Sequence, residues 1–321
     1  MKTITELSKK LPSAAKKGLA LFILSTFLLQ SCNKDEYEVI NNGEAIPMPK
    51  ALQTLFDNQE ASLTTILTFD ASTNLTNVSP KGVTLNVIGS CLRKNGNPVV
   101  GQVKVKYIEI FDKGSMLSSN RPTMGLNGTS NELLYSGGEF FIQAYQDNVA
   151  LTSTCPFSLS VPTSNTGGTQ TGMLPFVGTV DANGNLQWEP APPTFDFITN
   201  TQSSSPTYQA LIPSFGWFNC DRFASTPGPK TTISARVPAG YGAVSSIFLS
   251  VKTFPNALGK SYGMFPIGLE CYLIFITEKD GKFRYAIKPQ VLTASHEVTF
   301  NLSETTIGTG AQLTAAINAL P

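Results

Sequence analysis

The sequence holds one histidine, His296, and two tryptophans in 321 residues. A single imidazole cannot supply a two-histidine zinc site, and no Cys-x-x-Cys spacing occurs, so the sequence implies no metal and no cofactor. No Gly-x-Ser-x-Gly elbow is present, and any Ser-His-Asp triad would have to use His296. Charge is scarce as well: Asp, Glu, Lys and Arg make up 14 % of the chain, against about 25 % in ordinary soluble domains. The 23 basic and 22 acidic residues nearly cancel, and the basic ones are scattered, which argues against a nucleic-acid partner. The 41 % hydrophobic content excludes a disordered chain.

What is present begins at the N-terminus. Lys2, Lys9, Lys10, Lys16 and Lys17 precede an uncharged, mostly apolar run from Gly18 to Leu29. Those twelve residues fall short of the ~20 that a membrane-crossing helix needs and fit the core of a secretory signal peptide. The run ends in Leu29-Gln30-Ser31-Cys32, which resembles the lipobox of bacterial lipoproteins, with Gln30 departing from the small residue usual there. The resemblance implies cleavage after Ser31 and a lipid on Cys32, hence a membrane partner through the N-terminal lipid. Asn33-Lys34-Asp35-Glu36-Tyr37-Glu38 resembles the Lys/Asp/Glu signal that sends lipoproteins of Bacteroidota to the outer face of the outer membrane. Residues 1–31 carry five lysines and one glutamate, so the remaining chain holds 18 basic and 21 acidic side chains, a net charge of −3.

The body reads as strands. Val103, Val105 and Tyr107 alternate with Lys104 and Lys106, and the same period recurs at Phe140–Ala144, Ile233–Val237, Ile247–Val251 and Val298–Leu302. Asn-Gly and Asp-Gly turns lie between such runs, and Lys279-Asp280-Gly281-Lys282 predicts a hairpin joining Cys271–Thr277 to Phe283–Ile287. Helical pattern is confined to 51–59 and 311–320. The expectation is an all-β chain with two β-sandwich-like domains in tandem and a short C-terminal helix. A signal peptide at 1–31 and a flexible tether at 32–51 would precede a first domain at 52–163. A linker containing a hairpin at 164–206 and a second domain at 207–321 would follow.

Cys91, Cys155, Cys220 and Cys271 remain besides Cys32, and an exported location permits disulfides. Of the three connectivities, Cys91–Cys155 with Cys220–Cys271 avoids a bridge between domains; buried free thiols are the alternative. Several blocks, among them Asn120-Arg121-Pro122-Thr123-Met124, Leu133-Leu134-Tyr135-Ser136-Gly137-Gly138-Glu139-Phe140 and Gly216-Trp217-Phe218-Asn219-Cys220-Asp221-Arg222-Phe223, resemble a group of Bacteroidota outer-membrane surface lipoproteins. The resemblance spans residues 80–320, implies location and architecture, and brings no catalytic or binding residue with it.

Trp217, Phe218, Asp221 and Arg222 allow two readings. As a surface they would stack on a sugar ring and hydrogen-bond its hydroxyls; as a core strand they would fill the space between sheets. Glu109 and Asp112 are the only carboxylate pair considered for glycoside cleavage, and three residues apart at a strand end they read as solvated charges. Asp181-Ala182-Asn183-Gly184-Asn185 has the odd-position oxygens of a calcium loop, but Pro192 stands where its closing Glu belongs, so a hairpin turn is expected. Ser136-Gly137-Gly138 reads as a turn or bulge, and His296 shares the parity of Val298 and Phe300. The function expected is a non-catalytic binding module or accessory subunit of an envelope complex, its partner an outer-membrane protein or an extracellular polysaccharide. A surface hydrolase acting on glycans or peptides is the alternative.

Overall fold

A computed structural model describes residues 40–41, 44–182, 184–202, 204–224, 228–252 and 254–321. The expected signal peptide, Cys32 and the first part of the tether lie outside the described residues. Residues 40–321 form one compact unit, and it is mostly β with a short C-terminal helix.

Two sheets make a sandwich from the first two-thirds of the chain. In one, β1 (Thr65–Asp70), β4 (Gln102–Ile110) and the long β6 (Ser130–Gln146) run side by side. The other is formed by β2 (Asn74–Val78), β3 (Thr84–Ile88), β7 (Phe157–Pro162), β10 (Asp196–Asn200) and β11 (Thr207–Ile212). The alternation read in the sequence sets the packing: Val103, Val105, Tyr107, Phe140 and Ile142 face Leu85, Val87, Phe157, Leu159 and Tyr208 in one core.

The first sheet also closes on itself. Strand β6 pairs with β5 (Met124–Asn127) near its start and with β12 (Gly216–Phe223) further along. Strand β12 pairs with β8 (Leu174–Val180), β8 with β9 (Leu186–Pro190), and β9 meets β5 at Trp188 and Gly125. The five strands β5, β6, β12, β8 and β9 therefore form a ring without a free edge. Gly125 and Gly178 let it close: a Cβ on Gly125 would lie 2.8 Å from Leu134, and one on Gly178 2.7 Å from Trp217. The register of β6 against β12 shifts between Ser136 and Glu139, so the Ser136-Gly137-Gly138 segment is a β-bulge, with Gly138 at φ 123°.

A third sheet is built from β14 (Ser245–Val251), β15 (Leu258–Lys260), β16 (Glu270–Lys279), β17 (Lys282–Val291) and β19 (Thr306–Gly308). Its central hairpin turns at Asp280 and Gly281, both at positive φ. One face packs Leu249, Leu273 and Phe275 with Phe265, Val298 and Phe300. The other places Phe248, Ile274, Ile276 and Phe283 against three helices: α1 (Ala51–Leu63), α2 (Lys113–Ser118) and α3 (Gly310–Asn318). Trp188, Trp217 and Phe176 from the strand ring join this same core. A β13 strand (Ile233–Arg236) lies parallel to β18 (His296–Thr299) beside it.

These contacts correct the expected boundaries. Segment 164–206 is no linker, because it supplies β8 and β9 to the ring and β10 to the second sheet. Strands β11 and β12, expected to open a second domain, lie inside the first sandwich. The described end of the tether is fixed as well: Arg284 Nη1 pairs with Glu44 at 2.6 Å, and Ile46 packs on the third sheet's core.

Candidate functional site

The block from Gly216 to Phe223 is core on both faces. Trp217 points one way, 7 % exposed, with its ring centroid 5.3 Å from Phe141 and 6.3 Å from Trp188. Phe218 points the other way, 2 % exposed, stacked between Phe140 and Phe195. Arg222 is half-buried with its guanidinium 5.1 Å above the Tyr135 ring. The sugar-stacking surface considered for Trp217, Phe218, Asp221 and Arg222 is thus corrected: an alternating strand inside a sandwich buries both of its faces and leaves no aromatic platform in solvent.

Asp221 has an unusual setting. It shares the inner face of β12 with Trp217 and Asn219, and Glu139 stands opposite Asn219 across the ladder. Glu139, Asn219 and Asp221 are all 0 % exposed. Asn219 Nδ2 donates to Asp221 Oδ2 at 2.8 Å. Among the described residues, both carboxyl oxygens of Glu139, Oδ1 of Asn219 and Oδ1 of Asp221 have no hydrogen-bond partner. The Ser136 hydroxyl and Gly137 N–H lie near Asp221 and favour its charged form, but neither makes a well-directed bond to Oδ1. Burial pushes both carboxyls well up from their ordinary values, and the negative charge of Asp221 raises Glu139 further, against a smaller opposing pull from Arg121.

The other expected residues are structural. Asp112 caps α2, accepting from the Ser115 N–H at 2.8 Å and from Asn318 Nδ2 at 2.6 Å. Glu109 accepts from the Tyr107 hydroxyl at 2.7 Å. His296 is 5 % exposed, and its Nδ1 accepts from the Thr293 N–H at 3.2 Å, in keeping with its core parity. Cys91 and Cys155 are bonded to each other. Cys220 and Cys271 are free and buried, which corrects the second expected pairing: Cys220 belongs to the sandwich core and Cys271 to the third sheet's core. Among the described residues no three His, Cys, Asp or Glu side chains gather as a metal cluster.

A cleft with chemistry of its own opens where the strand ring meets the third sheet. Helix α2 ends in a Schellman turn: the Arg121 N–H bonds Met116 O at 2.7 Å, the Asn120 N–H bonds Leu117 O at 3.2 Å, and Asn120 sits at φ 56°. That turn aims Asn120 and Arg121 toward the β8–β9 hairpin, where Asn120 Nδ2 and Arg121 Nη1 both donate to Gly184 O at 3.2 and 3.1 Å. The Arg121 guanidinium also pairs with Glu60 of α1 and lies 5.0 Å over the Trp217 ring. Lys260, the last residue of β15 and 7 % exposed, donates to Asn120 Oδ1 at 2.8 Å and to Asn185 Oδ1 at 2.6 Å. Burial pulls the Lys260 ammonium down to about 8, opposed by Asp181 and aided by Arg121.

The cleft holds about 600 Å³ and is lined by Gln53, Asp57, Asn120, Asp181, Asn185 and Lys260. An adjoining depression of about 510 Å³ shares Asn185 and Lys260 and adds Tyr262, whose side chain is 41 % exposed. Asp57 accepts from Gln53 Nε2 at 2.8 Å and Asp181 from Asn185 Nδ2 at 3.0 Å. A third hollow, about 420 Å³, lies over β7, β10 and β11 and is lined mainly by Leu159, Ile198, Leu211 and small polar residues; Asp196 is its only ionisable side chain. Sequence reasoning missed Lys260 and Tyr262 because their partners arrive from strands and a helix terminus far away in the chain. The Asn120-Arg121-Pro122 block was the available signal. No family model and no curated protein matches the chain.

Proposed function

We propose that this chain is a lipid-anchored protein of the outer membrane, facing the cell exterior, that holds a glycan in the cleft between the β8–β9 hairpin and the third sheet. The anchor reading rests on the sequence around Cys32 and the acidic stretch after it. Two acyl chains bind a membrane stably where one is marginal. The binding reading is carried by one observation: Lys260 is fixed between the Asn120 and Asn185 amides at the floor of a polar cleft, beside an exposed tyrosine. Amides, carboxylates and a lysine present the paired donors and acceptors that sugar hydroxyls need, and Tyr262 offers a ring face. Holding rather than cleaving is the reading, with Asp57 and Asp181, each steadied by one side-chain amide, serving as acceptors for sugar hydroxyls.

The test is calorimetric titration of the Cys32→Ala chain against a panel of bacterial and host glycans. Binding by at least one glycan, lost in Tyr262→Ala and Asn185→Ala while the melting temperature stays within a few degrees, is expected. Absence of any binding, or binding unchanged in both variants, refutes the reading.

A further inference from the structure

Two fully buried carboxylates beside each other, with most of their oxygens unpartnered, are among the costliest arrangements a protein interior can contain. Glu139 and Asp221 stand in that position. They face the inside of the strand ring, on the same side as Trp217 and Phe176, the latter paired with Asn219. Arg121, whose positive charge pulls on Glu139, does not discharge the pair: its guanidinium is committed to Glu60, Asn120 O and Gly184 O. The Asn219 amide bonds Asp221 through Nδ2 and leaves Oδ1 unpartnered in the same 0 % exposed pocket of side chains. Four oxygens in all, two from Glu139 and one each from Asn219 and Asp221, lack a well-directed donor among the described residues, with the Ser136 hydroxyl and Gly137 N–H near Asp221.

A set made only of carboxylate and amide oxygens is a hard donor set. It suits calcium, which takes 6–8 oxygens at ~2.3–2.6 Å in adaptable geometry, better than it suits zinc or copper. We infer that Glu139, Asn219 and Asp221 hold a hard divalent cation, best matched by calcium, inside the strand ring. A dication supplies the missing partner for all four oxygens and turns the mutual repulsion of the two carboxylates into shared attraction. It would also pin β6 to β12 across the bulge at Gly137 and Gly138, where the β6–β12 register breaks. Because the oxygens are sealed from solvent, the ion would enter during folding, and its binding energy would become folding energy. This site is separate from the glycan cleft, and neither reading depends on the other.

The full-length Cys32→Ala chain, prepared without chelator, is analysed for bound metal, then unfolded and refolded either with calcium chloride or with excess chelator. Retention of about one divalent ion per chain is expected. So is a melting temperature that rises with calcium concentration after refolding and falls with chelator. Glu139→Gln, which keeps shape and removes one charge, should abolish both the retained ion and the calcium response. Should Glu139→Gln fail to fold, the wild-type comparison decides alone. The inference is overturned if no stoichiometric ion is retained and refolded protein melts identically with calcium or chelator. It is equally overturned if Glu139→Gln keeps the ion. In the first case the carboxyls are carried as neutral acids, and an infrared band of a protonated carboxyl lost in Glu139→Gln would show it; in the second the retained ion is bound elsewhere.

Discussion

Replacing Trp217 with alanine separates a core strand from a binding platform by magnitude alone. The indole is 7 % exposed, sits against Phe141 and Trp188, and carries the Arg121 guanidinium 5.0 Å over its face. Truncating a buried Trp costs ~3–5 kcal/mol through lost transfer energy and the cavity left behind. Losing the desolvated cation–π contact adds ~0.5–2 kcal/mol. Neighbours cannot collapse into the gap cheaply, since Gly178 already lies close against Trp217 Cβ and Trp188 is itself held by its N–H to Pro122 O at 3.2 Å. At ~2–4 °C per kcal/mol, a loss of ~3.5–7 kcal/mol lowers the melting temperature by roughly 7–28 °C. Circular dichroism melts of Cys32→Ala with and without Trp217→Ala measure it. A change within ~2 °C, the size of an ordinary surface substitution, would refute the placement of this strand.

Other consequences follow from named contacts. Cys91 and Cys155 close a loop across 64 residues, so Cys91→Ala with Cys155→Ala should cost roughly 4 kcal/mol; equal denaturation midpoints with and without reductant would contradict this. In the Cys32→Ala chain a thiol reagent should find no reactive cysteine in the native protein and two after denaturation, because Cys220 and Cys271 are buried and burial pushes the Cys271 thiol up to about 12. Burial holds folded Lys260 at about 8, below its ordinary value of 10.5. The unfolded chain thus keeps a proton that the fold has released, and the contribution of Lys260 to stability rises with pH across that window. Lys260→Met should flatten the rise in denaturation midpoint between those two pH values, and an unchanged slope would count against the buried position.

The strands were legible because period-two alternation is a local signal: Val103–Tyr107, Phe140–Ala144 and the Asp280-Gly281 hairpin all sit where their patterns put them. The helices α1 and α3 were legible from a different local signal, the helical spacing of their apolar residues, although α1 runs on to Leu63; the six-residue α2, held by its Asp112 cap, was not. Partnership between strands was not. The Ser/Thr/Gly stretch around 163–172 looks like a linker, yet Tyr135 Oη donates to Thr166 O at 3.0 Å and the segment is tied to the sandwich. Nothing local reveals that β8 and β9 return to close a ring with β5, because ring closure depends on contacts between distant strands. The same holds for the candidate sites. Asp221 was singled out for its neighbours in sequence, but its chemistry comes from Glu139, 82 positions earlier and opposite its strand. Lys260 drew no notice because its two asparagine partners come from a helix end and a hairpin tip.

The central claim, a lipid-held protein displayed to the exterior, is tested most directly by protease treatment of intact cells followed by immunoblotting. The account predicts that the membrane-bound protein is digested in intact cells while a periplasmic marker survives. It predicts also that the Cys32→Ala chain leaves the membrane fraction altogether. Survival of the protein in intact cells, with digestion only after the outer membrane is permeabilised, would contradict it.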